Sequence, residues 1–209
     1  MLTITKIEIG AFDTNCYVVW TKALNALIID PGADAEAISK IISRYRLTVR
    51  AYLITHGHMD HISALELLWT QVKAPIAMHG ADAEWAFGPA NQMPPYFSVP
   101  RRPGNIKHIL KGGEKWEEDG FRYEVIATPG HSPGSVCFYF PDENTLFSGD
   151  TLFQDSVGRT DLPGGDMRQL TNSLRILAVL PPLTKVYPGH GPETTIAREI
   201  ESNPFLKIH

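Results

Sequence analysis

The sequence predicts an α/β fold in one domain spanning residues 1–209, with sheet inside and helices outside. Three observations predict it. Strand-like and helix-like segments alternate along the whole chain, and no linker or internal repeat divides them. Several apolar strands also run into glycine or proline and then into a histidine or aspartate. Residues at successive strand ends along one sheet edge converge in space, and the neighbouring glycines let backbone approach closely.

The bulk numbers suit such a fold. Of 209 residues, 43% are apolar and 20% charged, enough to bury a substantial core. The net charge is −4 with no long basic or acidic run, which gives neither nucleic acid nor an anionic membrane a footing. The N-terminus, MLTITKIEIG, alternates like a strand rather than a secretory signal, and no apolar run reaches membrane-spanning length. Cys16 and Cys137 each lie in apolar stretches, NCYVVW and SVCFYF, and read as buried free thiols of a reduced cytosol. A cytoplasmic protein is therefore expected.

Residues 2–9, 15–20 and 25–30 alternate or run apolar between turn signals, and read as a meander. DPGAD (30–34) is a turn. Residues 34–46 place Ala37, Ile38, Ile41, Ile42 and Tyr45 at helical spacing. Residues 49–55 return to strand. Residues 62–73 read as one helix, which Pro75 stops. PIAM is a short strand, and strands follow at about 106–110, 121–127, 135–140 and 144–148. GGDMRQLTNSLRILAVL is a helix with Asp166 as its N-cap and Pro181 beyond its end. TKVYPGH is a last strand and 194–202 a last helix. Between these, the prolines and glycines of 86–105 forbid a long helix or a central strand. A loop of that length reads as a lid over a site, or else as a passive surface insertion. Its Arg101 and Arg102 would hold part of a substrate in the first case and serve solubility in the second.

The chemistry concentrates where an apolar strand ends in THGHMDH, with His56, His58, Asp60 and His61. VIATPGHSPGS then ends on His131, NTLFSGDTLF on Asp150 and TKVYPGHGPE on His190. One tetrahedral zinc needs three or four such ligands. Five histidines and two aspartates therefore suggest two ions. His56 and His58, two apart on an extended segment, would grip one ion with His131. Asp60 and His61, at the start of the next helix, would face the other with His190, and Asp150 would bridge. His79, His108 and His209 stand outside this pattern and read as ordinary solvated or hydrogen-bonded side chains.

HxHxDH after a strand, followed by PGHSPGS, FSGDTLF and YPGHG, resembles the metallo-β-lactamase superfamily from about residue 9 to His190. The resemblance implies an αβ/βα sandwich, two mixed β-sheets flanked by helices, with the site at one edge. True β-lactamases have cysteine or serine where this chain has Asp150, so the resemblance is to the hydrolase branch. TNCYVV, IIDPG and GRTDLPGGD look like glyoxalase II, the hydroxyacylglutathione hydrolases, and their short bacterial relatives without the C-terminal helical domain. In that family a basic residue at the place of Arg159 contacts glutathione. The tyrosine that follows it there is absent, since this chain reads Thr160-Asp161-Leu162. Asp30 resembles a residue near the site that accepts a hydrogen bond from a ligating histidine. A turn role before Pro31-Gly32 is the other reading.

The all-nitrogen-and-oxygen ligand set suits two divalent ions, Zn(II) first, with Fe(II) or Mn(II) as alternatives. Metal-bound water has its pKa lowered from about 16 to about 7. The expected reaction is attack of a bridging hydroxide on a thioester such as S-D-lactoylglutathione, with Asp60 orienting the nucleophile. The partner is then a small anionic thioester, since a site of net positive charge favours anions. Two other activities fit the resemblance. One is a mononuclear Fe(II) persulfide dioxygenase using His56, His131 and Asp150. The other is a different dinuclear hydrolase, of lactones or phosphodiesters.

Overall fold

The N-terminal meander forms as its alternation predicts. In the computed structural model, which describes residues 1–207, β1 (Thr3–Ile9), β2 (Thr14–Trp20) and β3 (Asn25–Ile29) pair antiparallel in order. His209 lies outside the described residues. The helix α1 (Ala35–Tyr45) then carries the chain over to β4 (Thr48–Leu53), which runs parallel to β3. Two short helices, α2 (Met59–Ile62) and α3 (Leu65–Gln71), lead to β5 (Ile76–His79), parallel to β4. A single helical turn, α4 (Gly80–Ala83), and the irregular stretch after it lead to β6 (His108–Leu110), parallel to β5. These six strands form one mixed sheet in chain order.

The second sheet contains β7 (Lys115–Glu118), β8 (Phe121–Ala127), β9 (Val136–Phe140), β10 (Thr145–Gly149), β13 (Lys185–Pro188) and β14 (Thr194–Thr195). A small hairpin, β11 (Leu152–Phe153) with β12 (Ser156–Val157), leaves its edge. The helix α5 (Met167–Ala178) is the crossover from β10 to the parallel β13, and α6 (Ile196–Ser202) closes the described chain. Asp166 caps α5 by accepting the N–H groups of Arg168 and Gln169. Among the described residues no helix is long and apolar enough to cross a membrane.

The layers explain why so many strands read as continuous apolar runs. On β2, Cys16, Val18 and Trp20 face α1 and α3, while Tyr17 and Val19 face the other sheet. On β9, Val136, Phe138 and Phe140 face the first sheet, while Cys137 and Tyr139 lie under α5 and α6. Strands covered on both faces need no polar side. The two free cysteines are thus buried in different layers.

One predicted helix breaks. Residues 62–73 divide at Ser63-Ala64 into α2 and α3. The Ser63 hydroxyl donates back to the Met59 carbonyl, and the Ala64 N–H donates across to Pro31 rather than down its own helix. The Asp30–Gly32 turn is wedged against α2 at this point: a Cβ on Gly32 would stand 1.6 Å from the Asp60 carbonyl oxygen. The last helix also begins later than expected, at Ile196, because Thr194 and Thr195 pair with β13 first.

Candidate metal centre

Strand direction delivers the site. β9 is antiparallel to both β8 and β10, and β13 is parallel to β10. So β8, β10 and β13 run the same way, and His131, Asp150 and His190 all follow at one end of the second sheet. In the first sheet, β3 and the parallel β4 end on Asp30 and on Thr55-His56. Asp60 and His61 ride on α2, directly after. His56, His58, Asp60, His61 and His131 are buried, and His190 is the most open of the histidines here.

The rings are aimed by hydrogen bonds on their far sides. His131 Nδ1–H donates to the Arg159 carbonyl at 2.8 Å, and His190 Nδ1–H to the Phe12 carbonyl at 3.0 Å. His61 Nδ1–H donates to Asp30 Oδ2 at 3.0 Å. The Thr55 hydroxyl gives its proton to Asp30 Oδ2, so it accepts from His56 Nδ1–H at 3.1 Å. With Nδ1 engaged on the far side of all four rings, Nε2 is the nitrogen each ring has left to offer a cation.

The donor atoms converge in two groups. His56, His58 and His131 bring one nitrogen each within 4.8 Å of one another, and so do the donor atoms of Asp60, His61 and His190. His58 Nδ1 faces His131 Nε2 at 2.9 Å. Asp150 lies between the groups: Oδ2 is 3.5 Å from His131 Nε2, and Oδ1 is 3.4 Å from His61 Nε2. A third grouping, Asp30 with His56 and His61, is equally tight. We assign it no ion, because Asp30 already accepts the Thr55 N–H, the Thr55 hydroxyl and His61 Nδ1–H. It aims a ring instead.

The donor set fits divalent cations. His56 Nε2, His61 Nε2 and Asp150 Oδ1 are buried without any hydrogen-bond partner among the described residues. Buried polar atoms are rarely left so unless something else binds them. The electrostatics of the two groups differ. Burial, followed by the surrounding imidazoles, pushes the His56 pKa well down. Burial and then His131 hold His58 at about 4, against the pull of Asp150 and Asp60. In the other group burial opposes the charge on His61, but Asp60, Asp150 and Asp30 override it and raise the ring to about 10. His190 is raised the same way, against burial, by Asp60 and Asp150. Burial works against the Asp60 carboxylate, yet His61, His190 and His58 keep it well below the usual range. The carboxylates that hold a proton on His61 would hold a divalent cation more strongly.

Sequence reasoning missed the braces. Asp82, wholly buried on α4, accepts the N–H groups of Gly57 and Gly134 and the Ser132 hydroxyl, each at 2.7 Å. It thereby ties the loop carrying His56 and His58 to the loop carrying His131. Asn91 donates to the Gly57 carbonyl and accepts the Met59 N–H. The Thr14 hydroxyl donates to Asp60 Oδ2 at 3.0 Å. One close approach also needs glycine: a Cβ on Gly189 would stand 2.1 Å from Asp150 Oδ1 and 2.8 Å from His61 Cε1.

A cavity of about 600 Å³ opens over the ligands, with Phe12, Met59, Met93, Phe153, Leu162 and Arg159 in its wall. Arg159 is already gripped on two nitrogens by Asp161, at 2.6 and 2.7 Å. From the 86–105 stretch only Met93 reaches this wall. Arg101 lines a separate groove, and Arg102 lies over the Phe87 ring. His79 caps α4, and His108 packs on Trp116, and neither lines this cavity.

Comparison with known proteins agrees with this geometry. The family model described as Metallo-beta-lactamase superfamily matches residues 9–190. The chain is 36% identical over 214 residues to hydroxyacylglutathione hydrolase GloC of Haemophilus influenzae, covering 98% of each. It is 36% identical over 205 residues to the probable metallo-hydrolase YqgX of Bacillus subtilis, covering 96% of each. Among solved structures, BLEG-1, described as a B3 metallo-beta-lactamase, matches with a TM-score of 0.92 and 40% identity, over 98% of this chain and all of that one. TTHA1623 in a di-iron-bound form matches at 0.88 and 37%, over 97% of this chain and all of that one. ETHE1 from Myxococcus xanthus matches at 0.77 and 27%, over 97% of this chain and 83% of that one.

Proposed function

The chain belongs to the metallo-beta-lactamase superfamily, and within it we propose a dinuclear metal-dependent thioester hydrolase of the hydroxyacylglutathione hydrolase kind. The observation that carries this reading is the pair of ligand groups meeting at Asp150, each able to hold its own ion. His56, His58 and His131 would hold one ion, Asp60, His61 and His190 the other, and Asp150 both. Bound there, two divalent ions supply an acidified water and a Lewis acid for the carbonyl oxygen. Zinc suits the donor set, and iron is the alternative that the di-iron neighbour puts in view.

The residues do the rest. Asp60, held by the Thr14 hydroxyl and facing His190 Nε2 at 3.2 Å, is positioned to accept a hydrogen bond from the attacking water and orient it. The water oxygen bonds to the acyl carbon, and the carbon–sulfur bond breaks with its electron pair left on sulfur. A carboxylate and a thiolate result, and the protons of the water pass to them or to solvent. A thiolate needs no proton in order to leave, so no separate general acid is required. Arg159, at the cavity wall, would draw in the anionic end of the substrate by exchanging Asp161 for it. On that role Arg159→Ala raises KM more than it lowers kcat. An unchanged KM removes the role.

The test is metal content of protein purified without added metal, beside hydrolysis of S-D-lactoylglutathione, with a β-lactam as control because of the BLEG-1 likeness. About two ions per chain and thioester cleavage support the proposal. One iron per chain, no cleavage, and oxygen consumed with glutathione persulfide give the site to a persulfide dioxygenase on His56, His131 and Asp150.

A further inference from the structure

The wall facing the ligands has a chemistry of its own. Apart from the ligand side chains, Ser156 and Arg159 are its polar members, and Arg159 is bound by Asp161. The rest is apolar: Met59, and residues from two parts of the chain. Phe12 and Met93 form one set. They share an anchor in Phe97, which is 6% exposed, packs its ring 5.0 Å from that of Phe12, and exchanges backbone hydrogen bonds with Met93. Phe153 and Val157 from the β11–β12 hairpin, with Leu162 just beyond in the chain, form the other. Phe153 lies edge-on to His190, 6.2 Å between ring centres, so this wall reaches the ligands themselves.

Resting on the thioesterase reading above, we infer that the acyl group this site takes is an aliphatic chain longer than acetyl, lying against the apolar wall of Phe12, Met93, Phe153 and Leu162. The lactoyl group is the poorer fit. Its hydroxyl would meet a wall with almost no free partner, and a buried polar group left unpaired is penalised. Each methylene of an alkyl chain instead leaves water for apolar surface, worth about fourfold in equilibrium when fully buried.

The experiment keeps the thiol constant. Metal-loaded protein is assayed with S-acetyl-, S-butyryl-, S-hexanoyl- and S-D-lactoylglutathione, and binding of S-methyl- and S-hexylglutathione is measured by calorimetry. The expected kcat/KM rises about fivefold or more for each added pair of methylenes, the hexanoyl ester outruns the lactoyl ester, and S-hexylglutathione binds tighter than S-methylglutathione. The double variant Met93→Ser/Leu162→Asn, whose two sites are at least partly exposed, should fold and flatten the series. A flat series or a preference for lactoyl overturns the inference and leaves the thioesterase standing. A graded series that the double variant does not flatten overturns this placement of the chain. If no thioester is cleaved yet S-hexylglutathione still binds tighter, the apolar acyl site stands and the hydrolase reading falls. Equal binding of the two thioethers overturns the inference whatever the turnover.

Discussion

The two groups that Asp150 lies between are opposite in electrostatic character. His56, His58 and His131 form an all-nitrogen group whose rings His56 and His58 resist protonation, with His58 at about 4. Asp60, His61 and His190 form a group in which carboxylates draw protons onto the rings, with His61 at about 10. The difference teaches how each would take a cation. The first group is ready-made, with His56 and His58 disposed against protonation and its two loops tied together by Asp82. The second is charge-driven and must give up a proton as the ion enters.

The largest effect should come from displacing what lies between them. Gly189→Ala puts a methyl 2.1 Å from Asp150 Oδ1, against a backbone that cannot easily retreat because the Gly189 N–H and carbonyl bond to Gly149 and Asn15. Asp150 must move away from both groups. The expected outcome is at most about one bound ion and a loss of activity of about a thousandfold or more, of the size that misplaced catalytic groups cause. Elemental analysis with a hydrolysis assay checks it. Two ions and near-normal turnover would show that Asp150 is not shared.

Next comes pH, acting on metal-free protein. The folded His58, at about 4, binds fewer protons than an unfolded imidazole at 6.5. Stability therefore falls as pH drops from 6.5 to 4, by about 3 kcal/mol, and His56 adds in the same direction. His61, raised to about 10, has the opposite sign: its contribution is complete below pH 6.5 and is lost as pH climbs through 10. Urea melts should show a maximum near pH 6.5. His58→Asn should shrink the acid limb and His61→Asn the alkaline one. Identical profiles in both variants would erase the contrast between the groups.

How much of this contrast was legible depends on which forces set each part. The residues that cluster were readable because metal chemistry demands particular side chains at fixed offsets after an apolar run, as in THGHMDH. Their division into two groups followed from chain geometry, since His56 and His58 flank one glycine while Asp60 and His61 open a helix. What aims them was not readable. Asp82 sits in a single helical turn, 25 residues from Gly57 and 50 from Ser132, with no periodicity to mark it. The break at Ser63-Ala64 depends on a hydrogen bond to Pro31, a contact that propensity cannot register. β7, with sequence KWEE, is a largely exposed edge strand, and β11 and β12 have two residues each, too short for an alternating pattern to show.

Asp82 makes the third test. Asp82→Asn replaces a three-way acceptor by an amide that must turn one N–H₂ toward donors, loosening the link between Gly57 and Gly134. The first group should weaken by up to about a hundredfold in zinc affinity while the second holds, since braces of this kind typically govern about ten- to a hundredfold. Stepwise zinc titration by calorimetry separates the two. Equal weakening of both steps would mean that Asp82 supports the fold rather than one group.

Thr14→Val is the smallest perturbation and bears on the second group alone. It keeps the branched shape that suits β2 and removes one donor, the hydroxyl that holds Asp60 Oδ2 at 3.0 Å. A hydrogen bond to a charged acceptor is worth about 1.5–3 kcal/mol. Part of that returns here, because His190 Nε2 still faces the same oxygen at 3.2 Å and a bound cation would face it too. The second zinc step should therefore weaken about tenfold or less, with the first unchanged. If Asp60 also orients the attacking water, kcat should fall even where zinc saturates both groups, because one of the contacts that fixes the carboxylate is gone. A fall in zinc affinity with full kcat at saturation would leave Asp60 as a ligand and nothing more.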